Sequence, residues 1–259
     1  RTGMPFASVA GTDVFFGGAE DPAAGLGQVV LLVHGAFDHH DLWRDVVPAL
    51  ARDHTPVAVD LPGHGRSPGP VLDRAEAYRA FLAGLTDALR LPPFVFCGHS
   101  MGGSMAVDFA LHHPDRVAGL IPIGSSPDWD IPDFFIDGWD TDPEAVYREN
   151  RDYLFSKRTA RGLIDAYDRQ MRETPPAHCQ ADMRTCASFD QAGRLGEVRT
   201  PTAVIYGDEE FWIDGSRALH AGIAGATLDI LPAAGHALPL EQPDALSAAI
   251  LRFLDSLAR

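Results

Sequence analysis

At 259 residues, with 46% hydrophobic and 22% charged side chains, the chain is long enough for one sizeable core and does not have the composition of a disordered segment. A formal net charge of −15 argues against a nucleic-acid partner, which requires clustered Lys and Arg, and is read as a soluble surface ahead of any steering of cationic substrates. With no run of about 18 apolar residues, and a start at Arg1-Thr2-Gly3-Met4 that lacks the apolar stretch of a secretory signal, neither a membrane partner nor export is expected, so a cytoplasmic location is the expectation.

Short apolar runs alternate with helical patterns along most of the chain, which predicts an α/β fold with a mainly parallel, doubly wound sheet covered by helices on both faces. Phe6–Ala10 and Thr12–Phe16 read as an antiparallel pair turned at Gly11. Val29–Val33 reads as a fully buried strand, because its run is continuous and branched rather than alternating. A short helix is expected at Leu42–Leu50, a strand at Pro56–Asp60 and an amphipathic helix at Arg74–Leu89. The strand Phe94–Gly98 leads into a turn and the helix Ser104–His112, and Val117–Gly124 is another buried strand.

After Gly124 the rhythm breaks. Residues 126–194 contain helical stretches at Pro143–Phe155, Arg158–Arg172 and His178–Ala187 but no convincing buried strand, so they are expected to form an inserted helical cap. The core is then 1–125 and 195–259, closing with a strand at Thr202–Gly207, a helix near Gly215–Ala224, a strand at Thr227–Leu231 and a helix at Pro239–Leu257.

The strongest chemical signal is Gly98-His99-Ser100-Met101-Gly102, a G-x-S-x-G between a predicted strand and a predicted helix. Small residues are needed there because the turn that presents the serine is too tight for flanking side chains. A serine hydroxyl is a weak nucleophile at neutral pH, so Ser100 needs a histidine base and an acid to orient that histidine. Among eleven histidines, His236 follows the last predicted strand, at the sheet edge where α/β proteins place catalytic groups.

Several landmarks occur in one order: His34-Gly35-Ala36, Asp60-Leu61-Pro62-Gly63-His64-Gly65-Arg66-Ser67, the Gly98–Gly103 turn, His113-Pro114-Asp115-Arg116-Val117, Gly207-Asp208-Glu209-Glu210, and Gly235-His236 with Glu241-Gln242-Pro243. In these the chain resembles the α/β hydrolases over nearly its whole length. The resemblance implies that the backbone N–H groups of Ala36 and Met101 form an oxyanion hole, and that the triad acid stands three residues after Gly207, at Glu210. Asp208 is the alternative acid, and Asp128 a weaker one. His34, His64 and His99 are read as structural.

Adjacent His39, His40 and Asp41 are not expected to converge on one ion, the three cysteines, Cys97, Cys179 and Cys186, lack CxxC spacing, and no phosphate-binding loop follows a strand. No metal and no cofactor are therefore expected. The partner is expected to be a small molecule, and the aromatic-rich cap (Trp129, Phe135, Trp139, Tyr153, Tyr167 among others) favours an apolar acyl or alcohol part. Hydrolysis of a carboxylic ester is the expected activity. Lactone, thioester or carbon–carbon bond hydrolysis by the same residues is the alternative, as is a ligand-sensing relative that does not turn over. Ser100 stands where resembling dehalogenases and epoxide hydrolases carry aspartate, which disfavours those branches.

Overall fold

The computed structural model describes residues 5–257. Eight strands form one sheet in the order β1-β2-β4-β3-β5-β6-β7-β8. They are β1 (Phe6–Val9), β2 (Thr12–Gly18), β3 (Val29–Val33), β4 (Thr55–Val59), β5 (Phe94–His99), β6 (Val117–Ile123), β7 (Ala203–Gly207) and β8 (Thr227–Leu231). Strands β3 to β8 pair in parallel, while β1 and β2 join antiparallel at one edge.

The continuous apolar strands have a direct structural reason. In β3, Val29, Leu31 and Val33 enter one core and Val30 and Leu32 the other, because successive side chains point to opposite faces and both faces are covered. The same split holds in β5, where Phe94 and Phe96 face one way and Val95 and Cys97 the other. Helices α2 (Ala75–Ala88), α3 (Met101–His112) and α8 (Ile213–Gly222) cover the first face. Helix α1 (Val47–Leu50), α9 (Leu238–Glu241) and α10 (Pro243–Leu257) cover the second, with Leu246, Ile250 and Leu254 of α10 in its core.

Between β6 and β7 lie α4 (Phe134–Thr141), α5 (Pro143–Leu154), α6 (Arg161–Met171) and α7 (Pro176–Ala187). No helix of the described residues is long and apolar enough to cross a membrane.

Several predicted boundaries are corrected. Leu42–Leu50 is not one helix: His39 caps a short 3₁₀ turn over His40–Trp43, and the α-helical turn restarts at Val47 with Pro48 in its first turn, where a missing N–H costs nothing. The last predicted helix is likewise two, divided at Pro243. Helix α3 starts at Met101 rather than Ser104, so Gly102 and Gly103 lie inside it despite their poor helix propensity. Helix α4 was not anticipated, and α6 begins at Arg161 rather than Arg158.

Candidate active site

The turn between β5 and α3 places Ser100 at φ +53°, ψ −119°, a conformation that non-glycine residues rarely adopt. It is held from several sides. The Ser100 N–H donates to the Ile123 carbonyl (2.8 Å), and the Ser100 carbonyl accepts from the N–H of Gly103 (2.9 Å), the N–H of Ser104 (3.2 Å) and the Ser125 hydroxyl (2.9 Å). The turn is so closed that a Cβ on Gly98 would stand 2.1 Å from the Gly102 carbonyl oxygen. With the backbone fully engaged, the Ser100 side chain is left to the cavity that it lines.

His236 lines the same cavity. Its Nδ1 lies 2.9 and 3.1 Å from the two Glu210 carboxylate oxygens, a pair buried from solvent. Since the carboxylate accepts, Nδ1 carries the proton and Nε2 is left with its lone pair. Glu210 itself accepts from the Trp212 N–H (3.1 Å), and the Trp212 ring packs edge-on against His236 with centroids 5.0 Å apart. Space for the pair is made by Gly124 at the end of β6. At φ +52°, its missing Cβ would sit 2.9 Å from Glu210 Oε2 and 3.3 Å from His236 Nδ1.

Asp208, by contrast, points to the Ala234 N–H (3.3 Å), and Glu209 accepts from the Lys157 N–H (2.9 Å). Of the three acids after Gly207, the one brought against His236 is thus Glu210. Asp128 lies in a bridge with Asp190.

Ala36 lines the cavity beside Ser100, while Met101 is buried at the first turn of α3, where backbone N–H groups have no partner within the helix. The next amide in the Ala36 loop is already committed: Phe37 N–H donates to Asp182 Oδ2 at 2.9 Å.

The histidines read as structural, His34, His64 and His99, are all buried. His34 donates from Nδ1 to the Gly35 carbonyl (2.7 Å) and accepts at Nε2 from the Leu61 N–H (3.1 Å); burial, then His64, lower its pKa to about 3. His99 donates to the His236 carbonyl (2.7 Å) and is also held neutral, its pKa lowered to about 3 by burial and then by His236. His64 differs. Both ring nitrogens face acceptors, the Pro62 carbonyl and Asp182 Oδ2, each at 3.0 Å. Burial opposes its charge, yet the Asp182 carboxylate overcomes this and raises its pKa.

Asp182 on α7 was missed by sequence reasoning, and it ties that helix both to His64 and to the Ala36–Phe37 loop. Glu241 is a second such tie. It accepts from the N–H groups of Ser156 (2.7 Å) and Gly235 (2.8 Å) and from the Thr159 hydroxyl, while His236 and Ala237 donate to the Leu154 carbonyl at the end of α5.

The ligand atoms of His39, His40 and Asp41 lie within 4.8 Å of one another. One ring nitrogen of each histidine is already engaged. His40 Nδ1 bonds Asp60 at 2.8 Å, and His39 Nδ1 accepts from the Asp41 N–H. A complete tetrahedral site would need donors from beyond these three.

Such an arrangement is equipped for acyl transfer, with a serine hydroxyl lining the cavity from a fixed turn and an imidazole oriented by a carboxylate. The model of the alpha/beta hydrolase family matches residues 30–249, and the chain belongs to that family. It is similar to a pimeloyl acyl-carrier-protein methyl ester esterase of Nitrosomonas europaea, 29% identical over 85% of this chain and 93% of the relative. It is also similar to a 2-hydroxy-6-oxo-2,4-heptadienoate hydrolase of Pseudomonas putida, 28% identical over 84% of this chain and 86% of the relative. A solved enol-lactonase from Burkholderia xenovorans shares the fold, with a TM-score of 0.86 and 22% identity over 97% of this chain and all of the other. The protein is therefore an enzyme of the hydrolase class.

Two outcomes follow from this geometry. Glu210→Gln is expected to lower kcat by about 10³-fold or more, and Asp208→Asn by less than about tenfold; the reverse order would move the orienting role to Asp208. The His64–Asp182 pair is expected to give pH-dependent stability. Because the folded-state pKa of His64 is raised, the pair's contribution is complete below about pH 6.5 and is lost as pH rises through the folded value. Urea melts should therefore show the wild type exceeding Asp182→Asn by a margin that shrinks from pH 6 to pH 9.5, and a constant margin would contradict a charged pair.

Proposed function

We propose that the chain is a serine esterase acting on small to medium carboxylic esters through an acyl-enzyme, with residues 126–194 as a cap over the site. Ser100 Oγ attacks the acyl carbon while His236 Nε2 accepts its proton. Glu210 holds the ring in the required tautomer and stabilises the imidazolium. The N–H groups of Ala36 and Met101 receive the negative charge that develops on the carbonyl oxygen. Collapse of the tetrahedral intermediate breaks the bond to the alcohol, which leaves with the proton from His236. Water, deprotonated by the same nitrogen, then attacks the acyl-enzyme, and the acid is released as Ser100 recovers its proton. No cofactor enters this sequence.

The observation that carries the reading is the His236–Glu210 pair at 2.9 Å, on the same cavity as a serine held at φ +53°. The lining supports an apolar substrate: Phe37, Leu42, Trp129, Ile131, Leu154 and Trp212 are all part of it. The esterase named among the relatives points the same way. Carbon–carbon bond hydrolysis by the same residues is the second reading, favoured by the heptadienoate hydrolase of similar identity.

The test is a p-nitrophenyl acetate and butyrate series beside a 2-hydroxy-6-oxo dienoate. Ester turnover with covalent labelling by a fluorophosphonate is expected. Ser100→Ala should remove the label and all but about a per cent of kcat, with Tm shifted by no more than about 2 °C. Retention of more than about five per cent of kcat would overturn the role of Ser100. Turnover of the dienoate alone would favour the second reading, and neither turnover nor labelling would favour a ligand sensor.

A further inference from the structure

Among the described residues that line the cavity over Ser100 there is no Lys or Arg, although arginine is common elsewhere in the chain. Its polar lining, beyond the elements already described, consists of Asp38, Asn150 and Tyr167. Asp38 is 2% exposed and accepts from the His39 N–H (2.9 Å), Gln170 Nε2 (3.0 Å) and the Tyr167 hydroxyl (3.2 Å). Burial raises its pKa, against the pull of these donors. Whether charged or neutral, this carboxyl gives an anionic ligand no counter-charge.

Asn150 is the complementary feature. It sits on α5, is 4% exposed, and its Nδ2 has no hydrogen-bond partner. A buried amide with unused N–H donors is destabilising, a penalty that a bound acceptor would relieve. The neighbouring α5 residues on its stripe, Val146 and Leu154, are apolar and buried, so the amide is an isolated polar point in an otherwise apolar wall.

We propose, resting on the esterase reading, that this cavity selects uncharged esters whose acyl or alcohol chain carries a second oxygen acceptor, received by the Asn150 amide, and rejects chains that carry a carboxylate. The acceptor is a ketone, ether or hydroxyl oxygen. A matching ester places it in the cavity with its carbonyl at Ser100, and the analogue lacking it leaves the amide unpaired. A carboxylate in the same place would be buried beside Asp38 without a cation, at a desolvation cost that the site does not offset.

The test compares three acyl chains of similar size, as p-nitrophenyl esters: pentanoate, 4-oxopentanoate and hemisuccinate. In the wild type, kcat/KM is expected to be about tenfold or more higher for the 4-oxo ester than for pentanoate, and about a hundredfold lower for hemisuccinate. Asn150→Leu and the near-isosteric Asn150→Asp should each bring the 4-oxo to pentanoate ratio to within about threefold of one. Asp38→Asn should narrow the discrimination against hemisuccinate by about tenfold or more.

Binding of methyl pentanoate, methyl 4-oxopentanoate and monomethyl succinate to Ser100→Ala, measured calorimetrically, gives the same ranking without requiring turnover. If pentanoate is hydrolysed but the 4-oxo ester is not preferred, or its preference survives both Asn150 variants, the polar subsite is overturned and the esterase reading stands. If no ester is turned over, yet binding to Ser100→Ala follows the expected ranking, the esterase reading fails and the subsite survives. Tight binding or fast turnover of the succinate would overturn the exclusion of anions.

Discussion

The left-handed backbone at Ser100 is the constraint on which the rest of the site depends. A residue with a side chain adopts φ +53° only when its surroundings determine it, and here the Ser100 N–H and carbonyl are both committed, to β6, to the first turn of α3 and to Ser125. Gly98 lets β5 and α3 approach closely enough to close that turn, and Gly102 lets α3 approach the end of β3. The parallel sheet supplies the foundation: β5 is central, buried on both faces, and ends at the edge where the His236 and Glu210 loops also emerge.

A second layer of organisation comes from carboxyl groups, one buried and one half-buried, that join the helices between β6 and β7 to the core. Glu241 fixes the His236 loop to the segment after α5, and Asp182 fixes α7 to both His64 and the loop of Ala36. Each accepts from backbone N–H groups that would otherwise be buried without partners. The proposed base and the proposed oxyanion loop are therefore positioned partly by the insertion, so that a shift of α5 or α7 would reach the chemistry through hydrogen bonds as well as through the cavity wall.

Much of this was legible in the sequence for a physical reason. Strands buried on both faces leave a continuous branched run, as in Val29–Val33, and the tight turn at Ser100 forces glycines at fixed spacing. The carboxylate facing His236 is the one the count from Gly207 singled out. What was not legible depends on tertiary contacts. The stretch before Arg161 is held out of helix by Glu241, some 80 residues away in sequence, and the break after Trp43 follows from local capping and Pro48 rather than from hydrophobic period.

Asp182 and Asn150 left a signal that periodicity alone does not interpret. Each is a polar residue on an apolar helical stripe, Cys179-Asp182-Met183-Cys186 in α7 and Val146-Asn150-Leu154 in α5. Such a residue is either paired across the core or waiting for a ligand, and only the fold separates the two. Asp182 proves to be the first case, and the Asn150 amide nitrogen has no hydrogen-bond partner.

The central claim is that acyl transfer passes through a covalent bond to Ser100. Rapid-quench mass spectrometry with a slowly deacylating p-nitrophenyl ester tests it most directly. The account predicts a burst of about one nitrophenolate per enzyme, matched by protein carrying one acyl group on the peptide that contains Ser100. Turnover without burst, adduct or label on that peptide would contradict it.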